Sequence, residues 1–206
     1  MKNIFKKIIV AILQFEARLI LRKYKPKIIG ITGSVGKTSA KEAIAAVFSR
    51  SYRTRKSIKS YNSELGVPLA ILGKETAWSS VLGWLFIILH GLWQIIFNDK
   101  TYPEILILEM GADRPGDLSC LTDWARPDLA VVTAIGEVPA HIEFFSGPET
   151  LAREKAEILR YLGVNDWAAL NFDDAVVFNM KEKTKCKIIT FGFGEGADLW
   201  ASNYQI

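Results

Sequence analysis

Residues 30–39 read Gly-Ile-Thr-Gly-Ser-Val-Gly-Lys-Thr-Ser, directly after the short run Lys27-Ile28-Ile29 and directly before a helical pattern of Ala40, Ala43, Ile44, Val47 and Phe48. A strand that runs into a glycine-rich turn ending in Gly-Lys-Thr at a helix start is a phosphate cradle, because turn N–H groups and the helix N-terminus together favour an anion. The spacing departs from G-x-x-x-x-G-K-[ST]: Ile31 stands five residues before Gly36, and the nearer glycine is Gly33. The chemistry survives the change. Gly33 and Gly36 let the backbone turn tightly, Lys37 can reach terminal phosphates, and the Thr38 hydroxyl can hold Mg²⁺. Thr32, Ser34 and Ser39 complete the expected phosphate-binding set.

The chain has 206 residues, half of them hydrophobic, enough for one good core. One main domain over 27–206 is expected, preceded by a leader at 1–26. The net charge of +4 is uneven: residues 1–27 carry eight Lys or Arg against Glu16 alone, and the remainder has 18 basic and 21 acidic side chains. A slightly acidic body argues against a nucleic-acid partner, although Arg50, Arg53, Arg55, Lys56 and Lys59 cluster locally. Cys120 and Cys186 match no metal spacing and are too few for a disulfide framework, so buried or idle thiols in a reducing cytoplasm are expected.

In the leader, Ile4, Ile8, Ile12, Phe15 and Leu19 recur at helical spacing among Lys6, Lys7, Arg18, Arg22 and Lys23. That pattern suits a basic amphipathic helix lying in a membrane interface. Glu16 and Arg18 interrupt the apolar run and no small-residue cleavage site follows, which speaks against a spanning helix and a signal peptide. Residues 81–97 are apolar around their whole circumference, with His90 and Gln94 as the polar side chains. A single crossing there would divide the nucleotide site, so the expectation is a helix that is buried or rests on a membrane.

Further strands are expected at 53–58, 104–110, 128–135, 167–170 and 187–191, and helices at 68–72, 115–125, 148–162 and 173–180. Strands alternating with helices imply an α/β fold, a mostly parallel sheet with helices on both faces. The closing Asp198-Leu-Trp-Ala-Ser-Asn-Tyr-Gln-Ile reads as one more strand, so the domain is expected to continue past residue 206.

Three side chains stand out at the carboxyl edge of such a sheet. Glu109 follows Ile-Leu-Ile-Leu at a strand end, where a buried carboxylate is costly unless something binds it: a Mg²⁺ ligand, a water-orienting group or an ion pair. His141 follows the strand ending near Ile135, either as a hydrogen-bonding loop residue or as a metal ligand. Lys155 falls on the apolar face of its helix, four residues after Leu151 and three before Ile158. An inward lysine loses hydration, which lowers its pKa and yields a neutral amine for catalysis or for carbamylation by CO₂, unless its stem snorkels to solvent.

Together, Thr-Gly-Ser-Val-Gly-Lys-Thr-Ser at 32–39, Tyr-Asn-Ser-Glu-Leu-Gly-Val-Pro at 61–68, Leu-Glu-Met-Gly-Ala at 108–112, His141 followed by Glu-Lys-Ala-Glu-Ile at 154–158, and Leu-Asn-Phe-Asp-Asp at 170–174 resemble the central ATPase domain of the Mur ligases. The likeness runs from about Lys27 to the end and is strongest to members that add D-alanyl-D-alanine to UDP-N-acetylmuramoyl-tripeptide. This family's loop typically has the T-G-x-x-G-K-[ST] form, which accounts for the missing glycine.

The resemblance implies that Lys37 and Thr38 handle the phosphates and a first Mg²⁺, with Glu109 as a further metal ligand. It implies a second Mg²⁺ on His141, a carbamate on Lys155, Asn62 in the phosphate pocket and Asn171 against the adenine. The implied reaction uses ATP to turn a substrate carboxylate into an acyl phosphate, which an incoming amine then converts to an amide. Related ligases that act on polyglutamate or folate share the core. The family normally places a UDP-sugar-binding domain before this one and an amine-substrate domain after it. Other readings are an ATP-binding module docked to a membrane and unable to catalyse alone, and a kinase-like phosphotransferase. The implied setting is the cytoplasm, peripheral at the inner membrane face.

Overall fold

The computed structural model describes residues 2–58, 64–111, 114–136 and 145–202. Seven strands form one sheet: β1 (Lys27–Thr32), β2 (Thr54–Lys56), β3 (Ile105–Glu109), β4 (Leu129–Val132), β5 (Trp167–Asn171), β6 (Lys187–Gly192) and β7 (Leu199–Trp200). Their spatial order is β2-β3-β1-β4-β5-β6-β7 and every pairing is parallel. β1 therefore lies inside the sheet, and its neighbours β3 and β4 bring Glu109 and Thr133 to the phosphate-loop edge.

Alternation along the strands builds two cores. Ile28, Leu106, Leu108, Ala130, Val132, Ala168 and Leu170 point to one face, while Ile29, Ile31, Ile105, Ile107 and Val131 point to the other. Both sets are buried, so the central strands read as unbroken apolar runs. Each such Val, Leu or Ile side chain contributes about 1.5–3 kcal/mol relative to exposure.

The two faces are covered unequally. On the second face α2 (Lys37–Phe48) packs through Ala40, Ile44, Ala45 and Phe48. Ala43 and Val47, assigned to that stripe from the sequence, face solvent. The helix is turned so that Lys41, four residues before Ala45, points inward instead. On the first face lie α1 (Lys2–Tyr24), α3 (Gly66–Leu72), α4 (Val81–Ile96), α5 (Asp117–Thr122), α6 (Pro148–Ala156) and α7 (Ala175–Phe178). The helices expected at 115–125, 148–162 and 173–180 are shorter in α form, and the last two continue as 3₁₀ turns at Glu157–Leu159 and Asn179–Lys183.

The leader helix α1 inserts Leu13, Ala17 and Ile20, all 0% exposed, into the same core as the sheet. It runs beside α4. A Cβ on Gly91 of α4 would meet Glu16 Oε2 at 2.3 Å, so glycine is what allows the carboxyl to sit there. Farther along, Lys23 Nζ donates to the carbonyls of Gln94 and Ile95, 2.9 and 3.0 Å away, and to that of Phe97. This cation occupies the negative end of α4, where the last carbonyls lack helical partners. Among the described residues no helix is long and apolar enough to cross a membrane.

Candidate functional site

The loop after β1 is fastened to the end of β4. Ala134 accepts from Ser34 N–H at 2.6 Å, and the Thr133 hydroxyl donates to the carbonyls of Val35 and Thr32 at 2.6 and 3.1 Å. Gly33 has φ +143°, and a Cβ there would lie 2.0 Å from Thr133 Oγ1. Gly36, at φ +84°, caps the start of α2 without any side-chain cap. The first N–H groups of α2, on Lys37, Thr38 and Ser39, thus lack the usual capping acceptor and open toward an anion. Thr38 and Ser39 are exposed on that first turn.

Lys37 curls back over the loop. Its Nζ donates to the carbonyls of Gly33 and Ser34 at 2.8 and 3.3 Å. A second lysine arrives from the far end of the chain: Lys155 Nζ on α6, 3% exposed, donates to the Gly33 carbonyl at 3.1 Å. The side chain points inward and does not snorkel. Two lysines therefore share one loop carbonyl, the arrangement suited to concentrated negative charge.

Glu109 closes β3 beside this loop, in register with Ile31 of β1, and is 0% exposed. Its Oε1 lies 2.9 Å from Lys41 Nζ, the ion pair that was one of the sequence alternatives. Its Oε2 has no hydrogen-bond partner among the described residues. Neither do Thr32 Oγ1 and Ser34 Oγ, both buried at the loop. Orphaned buried oxygens are costly, and here they gather on one edge of the sheet, a donor set that fits a hard cation with phosphate oxygens. Among the described residues no group of three or more His, Cys, Asp or Glu side chains stands ready for a metal.

Asn171 lies at the end of β5, on the same sheet edge but two strands from β1, about 10 Å across at ordinary strand spacing. It lines a cleft of about 700 Å³ with Asp173, Phe191, Phe193 and Trp200. Its Oδ1 accepts from Asp173 N–H at 3.0 Å. The polar loop and this cleft, with its three aromatic rings, are spaced as the two ends of a nucleotide would be. His141 and Asn62 lie outside the described residues.

Four residues of the site were not legible beforehand. Lys41 sat in a stretch, Lys-Glu-Ala, that reads as a solvated helix; the available signal was the need of buried Glu109 for a cation. Thr133 clamps the loop. Glu154, next to Lys155, accepts from the N–H groups of Gly116 and Leu118 at 2.9 and 2.8 Å, so it caps α5 and fixes the helix that carries Lys155. Asp174 accepts from Ile135 and Gly136 N–H at 2.7 and 3.0 Å while capping α7, which pins the chain where it leaves β4 toward His141.

Comparison with known proteins agrees with this geometry. The sequence matches the Mur ligase middle domain over residues 31–82 and 91–206. It is 30% identical over 186 residues to the UDP-N-acetylmuramoyl-tripeptide–D-alanyl-D-alanine ligase of Bacillus subtilis, covering 90% of this chain and 34% of that protein. The corresponding ligase of Synechocystis is 30% identical over 179 residues, 86% of this chain and 33% of its own length. Among solved structures, MurF ligase from Thermotoga maritima in complex with ADP superposes with a TM-score of 0.70 at 32% identity, covering 92% of this chain and 38% of that one. MurF from Acinetobacter baumannii gives a TM-score of 0.72 at 26% identity, covering 95% and 37%. The chain thus spans about a third of the length of these relatives.

Proposed function

The chain belongs to the Mur ligase family as its middle domain, and on that premise we propose that it is the ATP-using core of an amide-forming ligase. The substrates we assign are ATP, UDP-N-acetylmuramoyl-tripeptide and D-alanyl-D-alanine, the pair named for the Bacillus subtilis relative, in peptidoglycan precursor synthesis. One observation carries the reading: Lys155 and Lys37 meet at the Gly33 carbonyl while Glu109 keeps a buried, unpaired oxygen beside them.

In this reading the N–H groups at the start of α2 hold the terminal phosphates, and Lys37 leaves the loop carbonyls to neutralise them. The substrate carboxylate attacks the γ-phosphorus, the bond to the ADP oxygen breaks, and an acyl phosphate forms. The amine then attacks the acyl carbon, phosphate departs and the nitrogen loses its proton. No side-chain nucleophile is required, so the protein's work is positioning and charge stabilisation. Thr38, Glu109, His141 and a carbamylated Lys155 would hold Mg²⁺, which when bound supplies further neutralisation of phosphate charge. Asn62 would line the phosphate pocket and Asn171 would meet the adenine. We place the protein in the cytoplasm with α1 and α4 toward the inner membrane face.

The test is ADP release and product mass with ATP, Mg²⁺, UDP-muramoyl-tripeptide and D-alanyl-D-alanine, run on the chain alone and with flanking substrate domains supplied separately. ADP together with the new amide supports the ligase. ADP binding without release in either case favours a binding module, and a stable phosphorylated product without amide favours a phosphotransferase; either result overturns the proposal.

A further inference from the structure

The buried oxygens without partners fall into two groups among the described residues. One surrounds the phosphate loop; the other, Glu16 Oε1 and Oε2 with Gln94 Oε1, lies between α1 and α4. The family match begins at residue 31 and skips residues 83–90, so α1 and the middle of α4 lie outside it. Their outer surfaces are unlike the rest of the molecule.

On α4, Trp84, Ile87, Gly91 and Gln94 face inward. Val81, Leu82, Leu85, Phe86, Leu89, Leu92, Trp93 and Ile96 face out, Leu82 being 78% and Ile96 71% exposed. Half the circumference of a 16-residue helix is therefore apolar and uncovered, without one charge. Immediately before it Trp78 is 79% exposed and held at φ 51°, a costly backbone for a bulky residue, with its carbonyl accepting from Trp84 Nε1 at 3.0 Å. On α1 one exposed stripe at spacings of three and four runs Ile4, Ile8, Ala11, Phe15, Arg18, Arg22. It changes from apolar to cationic along its length. Arg18 and Arg22 then join Arg126 and Trp124 around a cleft of about 620 Å³ at the sheet edge opposite the phosphate loop. The two carboxylates lining that cleft are engaged elsewhere, Asp128 by Lys27 and Asp123 by the Tyr161 hydroxyl.

We infer that α1 and α4 form a monotopic docking surface for a bilayer containing anionic phospholipid, with lipid phosphates held at the Arg18–Arg22–Arg126 cleft. An exposed apolar face along α4, beside an α1 stripe of Ile4, Ile8, Ala11 and Phe15 flanked by Lys6 and Lys7 and ending in Arg18 and Arg22, matches the acyl boundary and the headgroup layer of a bilayer, and exposed tryptophan suits the level between them. A second copy of the chain fits less well: a two-fold contact would set this patch against itself and bring together two leaders that each carry seven basic residues against one acid. The inference names the lipid chemistry of the membrane contact proposed above, and it is independent of the ligase activity.

The test is co-sedimentation of the chain with vesicles of phosphatidylcholine alone or mixed with phosphatidylglycerol, in the absence of nucleotide, with tryptophan emission as a second readout. The chain is expected to pellet with the anionic vesicles, blue-shift its emission and release as salt rises, and inorganic phosphate at millimolar concentration should not displace it. Arg18→Gln with Arg22→Gln is expected to lower partitioning onto anionic vesicles about 30-fold at low salt. Leu85→Glu with Leu89→Glu, both on the exposed side of α4, should abolish it while leaving the thermal melt in place. No pelleting with either vesicle overturns the inference, as does pelleting that the Leu85→Glu, Leu89→Glu variant retains. A dimer that this variant dissociates, without vesicle binding, overturns it in favour of a second copy, and displacement by free phosphate overturns the lipid assignment.

Discussion

Lys155 Nζ and the Gly33 carbonyl lie 3.1 Å apart although 122 residues of chain separate them. The contact exists because β4 lies next to β1 and α6 returns across the sheet, so its inner face ends at the loop. Replacing the lysine by methionine keeps the buried volume and removes the charge. Lys155→Met is expected to leave the melt within a few degrees and to weaken Mg²⁺-dependent ATP binding by about 10–100-fold, the worth of a hydrogen bond to a charged group. Calorimetric titration of ATP with and without Mg²⁺ checks this. If the amine takes up CO₂, ¹³C-bicarbonate should give a carbamate resonance in the parent chain that is missing in the variant.

Lys41 and Glu109 form a pair in which the side chains are 2% and 0% exposed. Breaking such a pair strands a buried charge, so Lys41→Met alone should cost about 3–5 kcal/mol. Glu109→Gln should cost less than that, because the amide oxygen can still accept from Lys41 and Glu42 Oε1 stays 3.6 Å from the ammonium, yet it should remove the Mg²⁺ dependence of ATP binding. The double variant is expected to recover most of the stability and none of the metal dependence. Urea melts of the four proteins read the coupling, and a fully additive result would mean that the two groups do not stabilise one another.

Much of this arrangement was legible in the sequence because it rests on local rules. The Gly-Ile-Thr-Gly-Ser-Val-Gly-Lys-Thr-Ser turn identifies itself by strand, glycines and helix start, and the unbroken run at 105–108 identifies a strand covered on both sides. Lys155 was found because helical periodicity marks an inward position whatever the tertiary context. Lys41, Glu154 and Asp174 were not found, because their roles exist only across strand crossings: a partner strand end, the cap of another helix, two N–H groups of a distant loop. The outer stripe of α1 was legible and its inner stripe was not, since Leu13, Ala17 and Ile20 become a core only once β1 and α3 are beside them.

Gly33 and Gly36 should respond differently to alanine. Both have left-handed backbone, but a Cβ on Gly33 would collide with Thr133 Oγ1 at 2.0 Å, whereas one on Gly36 would first meet Thr133 Cβ at 3.6 Å. Gly36→Ala should cost about 1–2 kcal/mol from backbone strain alone. Gly33→Ala should cost more and also unfasten the loop from Thr133, so ATP affinity falls together with the melt. Comparing the two variants by melting and nucleotide titration separates strain from steric displacement; equal losses would contradict the clamp.

Glu16 sets the pH dependence of the α1–α4 contact. Burial raises its pKa from 4.5 to about 7, with no hydrogen-bond partner for either oxygen among the described residues. For a carboxyl raised in the folded state, the folded protein binds more protons than the unfolded one between those two values. Its stabilising balance is therefore fullest below pH 4.5 and is lost as pH rises to about 7, above which the penalty is constant. Glu16→Gln removes the titration while keeping the shape against Gly91. The variant should match the parent near pH 4.5 and exceed it by about 3 kcal/mol above pH 7. Denaturant melts of both proteins across that range test it: parallel curves at all pH values would show that folding leaves the Glu16 pKa unshifted, and a variant less stable at high pH would mean that the carboxylate is held by a partner.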